Sequence, residues 1–219
     1  MEFLLDAASL AEIQEAVDYL PVAGVVCGPQ ALEKEKPADF FAHLRKIRDI
    51  IGPHRSLHVQ PVSRDTESMV NEAHRILDEV DDDIAILIPA TFEGLRAIRI
   101  LKKDEVTISA AAVCDELQAL LVLEAGADWI LTSDADQDLY QSLRRIAERI
   151  SHDKYRTKVV SCVTTDTKAG LKCLEYGADG IVIPYEKLKS VFANPHIEQA
   201  IETYQTDWHT FSGDEENGR

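Results

Sequence analysis

Short apolar runs alternate with segments of helical periodicity from one end of the chain to the other. The apolar runs are bounded by polar and turn-forming residues, which is typical of buried parallel strands. They predict strands at residues 2–6, 22–27, 56–61, 83–88, 107–112, 128–132, 157–163 and 179–183. Between and after them, amphipathic periodicity predicts helices at residues 10–19, 40–51, 67–77, 93–101, 116–124, 139–150, 168–176, 187–192 and 197–208.

This alternation predicts a parallel sheet closed into an α/β barrel of the (β/α)8 type. An internal repeat fits it, because residues 123–130 and 174–181 each end a helix at a glycine and begin a strand. Such corners also occur in open doubly wound sheets. No Gly-rich phosphate-binding fingerprint follows any predicted strand, which disfavours dinucleotide-binding and P-loop folds. We expect one domain over residues 1–211 and a disordered acidic tail over 212–219.

Composition narrows the class of protein. The chain has 219 residues, 45% of them hydrophobic, enough for one sizeable core. No apolar run is long enough for a membrane span, and the first residues lack the basic flank of a signal peptide. The four cysteines show no CxxC spacing, so a cytoplasmic protein with reduced thiols is expected. A net charge of −16 argues against nucleic acid and anionic membranes as partners.

Framework segments spread over nearly the whole chain carry a family resemblance. They include Phe3-Leu4-Leu5-Asp6, Pro21-Val22-Ala23-Gly24-Val25, Met69-Val70-Asn71-Glu72-Ala73, Glu93-Gly94-Leu95-Arg96-Ala97-Ile98, Gln118-Ala119-Leu120-Leu121 and Asp207-Trp208. In this order and spacing the chain resembles the small transaldolase and fructose-6-phosphate aldolase family. The resemblance implies a TIM barrel of the class I aldolase type with an extra C-terminal helix, and a role in carbohydrate metabolism.

The resemblance places a leucine where the family carries its Schiff-base lysine. Leu87 occupies that position in the apolar run 84–89, and leucine has no amine with which to form an imine. The resemblance implies that Asp6 and Gln60 are the retained catalytic positions. The family's tyrosine and phosphate-side arginine correspond to Ser133 and Asp136.

Other positions at the strand ends are implied to contact a ligand. The family's Thr-Thr-Asn-Pro after strand two is here Val26-Cys27-Gly28-Pro29, which makes Cys27 and Gly28 candidates. Ser133, Asp136 and Thr164 complete this set of candidate ligand-binding residues. No cofactor is expected.

The mouth of the predicted barrel is acidic, and one run of acidic residues there is a candidate metal site. Asp134 and Asp136 could hold a divalent cation, since hard cations take clustered carboxylates. Aspartates also cap helix N-termini, and that interpretation stays open beside the metal. Cys27, Cys114 and Cys162 follow strands, but without zinc-type spacing they are better explained as buried thiols.

The predicted C-terminal helix has an apolar face formed by Ile197, Ile201, Tyr204 and Trp208. This face could pack against its own barrel. In the family that the chain resembles, the helix reaches a neighbouring subunit, so a homo-oligomer, a pentamer or decamer, is implied.

Three functions follow as hypotheses. In the first, a transaldolase-like pseudoenzyme has lost Schiff-base aldol activity and is a non-catalytic oligomer or a binder of a small ligand. In the second, the same scaffold is an enzyme of altered chemistry at the acidic mouth, using Asp6, Gln60 and a metal held by Asp134 and Asp136. In the third, an active aldolase or transaldolase uses a relocated lysine.

Overall fold

The fold was analysed in a computed structural model that describes residues 1–132, 137–163 and 167–212, without the side chains of residues 137–139. The strands are β1 (Glu2–Asp6), β2 (Gly24–Cys27), β3 (Ser56–Val59), β4 (Ile84–Pro89), β5 (Ile108–Val113), β6 (Trp129–Thr132), β7 (Lys158–Cys162) and β8 (Gly180–Pro184). The helices are α1 (Leu10–Tyr19), α2 (Pro29–Glu35), α3 (Phe40–Ile51), α4 (Thr66–Glu79), α5 (Phe92–Leu101), α6 (Glu116–Glu124), α7 (Gln137–Asp153), α8 (Thr167–Glu175), α9 (Tyr185–Ser190) and α10 (Pro195–Ser212).

The strands form one closed parallel barrel in sequence order, with β8 returning to pair with β1. This confirms the predicted (β/α)8 architecture, and the extra C-terminal helix is present as α10. None of the described helices combines the length and the apolar composition that crossing a lipid bilayer requires.

The chain divides into two compact units, Met1–Tyr185 and Glu186–Arg219. The first holds the whole barrel. In the second, α10 has no buried residue. The side chains on its apolar face are 49–71% exposed: Ile197, Ile201, Tyr204 and Trp208. The single domain predicted over residues 1–211 stays a prediction, and residues 213–219 lie outside the described part of the chain.

Polar side chains cap the first turns of four helices. Asp39, Asp65, Thr91 and Asp115 each accept a hydrogen bond from a backbone N–H three residues on, at 2.9–3.0 Å, in the first turns of α3, α4, α5 and α6. These caps satisfy N–H groups that the helix itself leaves open. Each cap therefore favours the residue at which its helix begins.

The internal repeat has a physical basis. Gly126 and Gly177 adopt φ values of +99° and +100°, where a side chain would be strained. Two residues after each glycine, an aspartate carboxylate accepts a backbone N–H from the first or second residue of a neighbouring strand. Asp128 accepts from Ile108 and Asp179 from Val159, both at 2.8 Å. Each copy therefore ends a helix and fixes the start of a strand.

Helix α2 was not predicted. Gly28 precedes it and Pro29 occupies its first turn. Proline has no backbone N–H, and an N–H in the first turn would have no partner within the helix. It has no buried residue, so it shows no apolar stripe for periodicity to detect.

A polar cluster fills the barrel interior toward the amino ends of the strands. The His58 ring nitrogens lie 2.7 Å from the Ser109 hydroxyl and 2.9 Å from the Ser56 hydroxyl. The Trp129 ring meets the imidazole edge to face at 5.0 Å. Full burial, with the positive charges of Lys158 and Arg48 adding to it, lowers the pKa of His58 to about 3. His58 is therefore a neutral core residue.

Candidate active site

A cavity of about 440 Å³ opens at the carboxyl ends of the strands. This is the face on which barrels of this class place their sites, and the volume lies in the range of small-molecule pockets. The lining residues are Asp6, Val26, Gly28, Pro29, Gln30, Gln60, Leu87, Ala111, Ala112, Leu131, Thr132, Cys162, Val163, Val182 and Pro184.

The floor of the cavity is apolar. Leu87 is the fourth residue of β4 and is 4% exposed. In the barrel interior it packs with Val26, Ala111, Leu131 and Val182. Strand β4 is buried on both faces, which is why its sequence is an unbroken apolar run. Leu87 thus presents a hydrocarbon surface to the cavity.

Asp6 stands above this floor as the last residue of β1, paired in register with Val26 and Pro184. Burial raises the pKa of its carboxyl, and the positive charge of Lys34 on α2 partly opposes this. Among the described residues, no side chain or backbone N–H donates to the carboxylate. Asp6 is therefore a partly desolvated acceptor that faces the cavity without a partner from the described chain.

Two further polar residues line the cavity. Gln60 comes directly after β3, and its half-buried amide makes no hydrogen bond with the described residues. Thr132 is the last residue of β6, and its fully buried hydroxyl is not accessible from the cavity and has no hydrogen-bond partner in the described part of the chain. The Gln60 amide is therefore available to a ligand or to water.

Cys27, the last residue of β2, and Gly28, which follows it, lie on opposite sides of the barrel wall. Gly28 lines the cavity, and a Cβ built there would meet no atom within 4 Å. Cys27 does not line it. The Cys27 thiol donates to the Ala7 carbonyl at 3.4 Å, and burial beside Asp6 raises its pKa to about 12. The alternation of side chains along a strand explains the separation.

The remaining candidates fall where the structure gives no description. Ser133, Asp134, Asp136 and Thr164 lie outside the described residues. Among the residues that are described, no group of three or more histidines, cysteines or carboxylates could hold a metal ion. The cysteines do not converge, since Cys114 is exposed and Cys27 faces away from the cavity that Cys162 lines.

Sequence reasoning missed several lining residues, among them Thr132 and Ala112. Thr132 neighbours the inward-facing Leu131, so alternation places its side chain on the outer side. Ala112 lies in a β-bulge, where the pairing of β5 with β6 shifts between Ala110 and Val113, and its φ is +56°. No turn-type residue in the sequence announces this bulge, because the position is an alanine.

No lysine or arginine is among the described residues that line the cavity. Lys158 begins β7 at the opposite end of the barrel, where its ammonium lies 4.4 Å above the Trp129 ring and pairs with Glu2. Lys102 is 2.8 Å from the Asp128 carboxylate, beside the amino end of β5. Neither amine is near the cavity floor.

Comparison with known proteins gives a family. The family model for transaldolase and fructose-6-phosphate aldolase matches residues 3–216. A probable fructose-6-phosphate aldolase of Streptococcus pneumoniae is 33% identical over 213 residues, covering 95% of this chain and 96% of that protein.

Solved structures share the fold at low identity. A dihydrodipicolinate synthase of Rhodopseudomonas palustris matches with a TM-score of 0.62 at 13% identity, over 83% of this chain and 69% of the other. A putative phosphonomutase of Burkholderia cenocepacia matches with a TM-score of 0.61 at 12% identity, over 92% and 93%. Taken with the family match and the barrel itself, these findings show that the chain belongs to the transaldolase/fructose-6-phosphate aldolase family.

Proposed function

We propose that this protein is a family member without Schiff-base aldol activity, and that it binds a small molecule in the barrel mouth. The observation that carries the proposal is the composition of the cavity. Its described lining contains Leu87 on the floor and no amine. An imine with a ketose needs a lysine nitrogen at the reacting carbon, and a hydrocarbon floor offers only apolar contact.

The expected loss of rate is large. Removing the covalent catalyst from an enzyme that depends on it can cost on the order of a millionfold. The amines of Lys158 and Lys102 are held by Glu2 and Asp128 away from the cavity, which disfavours substitution by either of them. The acidic character of the mouth, with Asp6 lacking a paired cation, also opposes a phosphorylated sugar.

A cleavage assay tests this proposal. Fructose 6-phosphate is incubated with this protein and, as a positive control, with the Streptococcus pneumoniae relative, and glyceraldehyde 3-phosphate release is coupled to a dehydrogenase. We expect release at the level of the buffer blank from this protein. Turnover within a thousandfold of the relative would overturn the proposal and favour a relocated lysine.

A second candidate function is an enzyme of altered chemistry. The observation that favours it is the raised pKa of Asp6 in a cavity, since perturbed carboxyl groups serve as general acids and bases. Asp6 and Gln60 would then act on a substrate directly, with Asp134 and Asp136 as the proposed metal ligands. Calorimetry with Mg²⁺, Mn²⁺ and Zn²⁺ tests the metal. Binding that Asp136→Ala removes would favour this candidate over the first, and no binding at millimolar concentration would count against it.

We also propose that the protein is a cytoplasmic homo-oligomer, a pentamer or decamer. The half-exposed apolar face of α10 supports self-association, because solvent-exposed stripes of this kind mark protein interfaces. Light scattering after size exclusion gives the mass directly. A Trp208→Glu variant is expected to reduce it, whereas a monomeric wild-type protein would refute the oligomer.

A further inference from the structure

We infer that the cavity selects a compact organic ammonium with an apolar body. The ammonium would donate to the Asp6 carboxylate, and the body would cover Leu87 and Val26. This inference rests on the proposed function, because an amine-free cavity is what leaves Asp6 and the floor available.

The first argument is charge. The Asp6 carboxylate faces the cavity with no donor from the described residues, and no lysine or arginine is among the described lining. The charged group that acts on it is Lys34 from α2, and the Cys27 thiol behind it on β2 is neutral. Lys34 is exposed and does not line the cavity, so solvent screens its charge. An entering cation gains a charge-assisted hydrogen bond, and an anion is repelled.

The second argument is the floor. Leu87, Val26, Leu131 and Val182 present branched aliphatic carbons, and Ala111 adds a methyl group. Covering this surface removes apolar area from water, which favours a hydrocarbon body over a fully hydroxylated one. A polyol such as a sugar would leave hydroxyl groups facing carbon, without hydrogen-bond partners.

Matched cyclohexane probes test the charge preference. Cyclohexylmethylamine, cyclohexylmethanol and cyclohexanecarboxylate share one apolar body and differ in the charge of the end group. Their dissociation constants at pH 7 are measured by ligand-observed NMR titration of the full chain. We expect the amine to bind roughly 10- to 100-fold more tightly than the alcohol, and the carboxylate most weakly.

Variants assign the preference to the site. Asp6→Asn is expected to bring the amine and the alcohol within about twofold of each other. Asp49→Asn removes a charge from an exposed position on α3 and is expected to keep the preference. Equal affinities in the wild type, no binding of any probe, or an amine preference that survives in Asp6→Asn would each overturn the inference.

Failure of this inference and failure of the proposed function give different results. Fructose 6-phosphate cleavage would refute the proposed function whatever the probes show. A silent cleavage assay with probes bound in the wrong order would refute the ammonium alone.

Discussion

The two ends of the barrel interior differ in whether their polar side chains have hydrogen-bond partners. At the amino end, both His58 nitrogens meet serine hydroxyls, and Lys158 pairs with Glu2 while covering Trp129. At the carboxyl end, the side chains of Asp6 and Gln60 have no hydrogen-bond partner among the described residues. The amino end satisfies its own polar groups, and the carboxyl end leaves them for a ligand.

This difference separates stability from function within one barrel. A satisfied buried network stabilises and orders the core, whereas an unsatisfied one is retained only at some cost in stability. The same kind of substitution should therefore have opposite effects at the two ends. Four predictions test this contrast.

Truncating the amino-end network should be the most damaging change. His58→Ala leaves a cavity and strands the hydroxyls of Ser109 and Ser56, so we expect a loss of about 3 kcal/mol in the free energy of unfolding. Urea denaturation followed by circular dichroism measures it. His54→Ala, at an exposed position, serves as the control and should change stability by less than about 0.5 kcal/mol. A loss equal to that of the control would show that the network contributes nothing.

Acid should act on the amino end through His58. Its folded-state pKa of about 3 lies below the ordinary value of 6.5, so the unfolded chain takes up a proton first as the pH falls. Stability from this group is complete above pH 6.5 and is lost toward pH 3, by about 1.4 kcal/mol per pH unit at most. We expect the stability difference between the wild type and His58→Asn to shrink by about 2 kcal/mol between pH 6.5 and 5. A constant difference would mean that His58 titrates normally.

Removing the charge of Asp6, at the carboxyl end of the barrel, should stabilise the fold. Burial raises the pKa of Asp6, so the ionised carboxylate is penalised in the folded state at neutral pH. The penalty is present above the folded-state pKa and disappears as the pH falls below the ordinary value of 3.8. Asp6→Asn is expected to gain about 1 kcal/mol at pH 7 and little at pH 4. Thermal unfolding at both pH values, with Asp49→Asn as the charge control, measures this, and a destabilised Asp6→Asn would contradict it.

The bulge at the mouth should give the smallest effect. Ala112 has a φ of +56°, which strains an L-residue, so Ala112→Gly should gain about 0.5 kcal/mol after the entropy cost of glycine. Ala110→Gly, in the buried and regular part of β5, should instead lose about 1 kcal/mol. Chemical denaturation of the two variants in parallel checks the signs. The same sign for both would show that the bulge holds no strain.

The sequence was sufficient for the barrel but only partly for its site. Apolar runs and helical periodicity reflect burial on the sheet, so all eight strands could be predicted. The family resemblance singled out Asp6, Gln60 and Leu87, and all three line the cavity. Helix α2 escaped because no residue in it is buried.

The rest depends on side-chain direction, which a regular alternation predicts only in regular strands. Cys27 points to the outer side of β2, so it meets Ala7 and not the cavity. The bulge at Ala112 breaks the register of β5 with β6. The orphaned hydroxyl of Thr132 has no signature in sequence, because it depends on what surrounds the side chain.

The central claim is that this protein forms no imine with a ketose, and borohydride trapping tests it most directly. The protein is incubated with dihydroxyacetone or fructose 6-phosphate, reduced, and examined by intact mass and peptide mapping beside the Streptococcus pneumoniae relative. We predict an unmodified mass for this protein and a stoichiometric adduct on the relative. A stoichiometric adduct on any lysine of this chain would contradict the account and identify the lysine that takes over the role of the family's Schiff-base lysine.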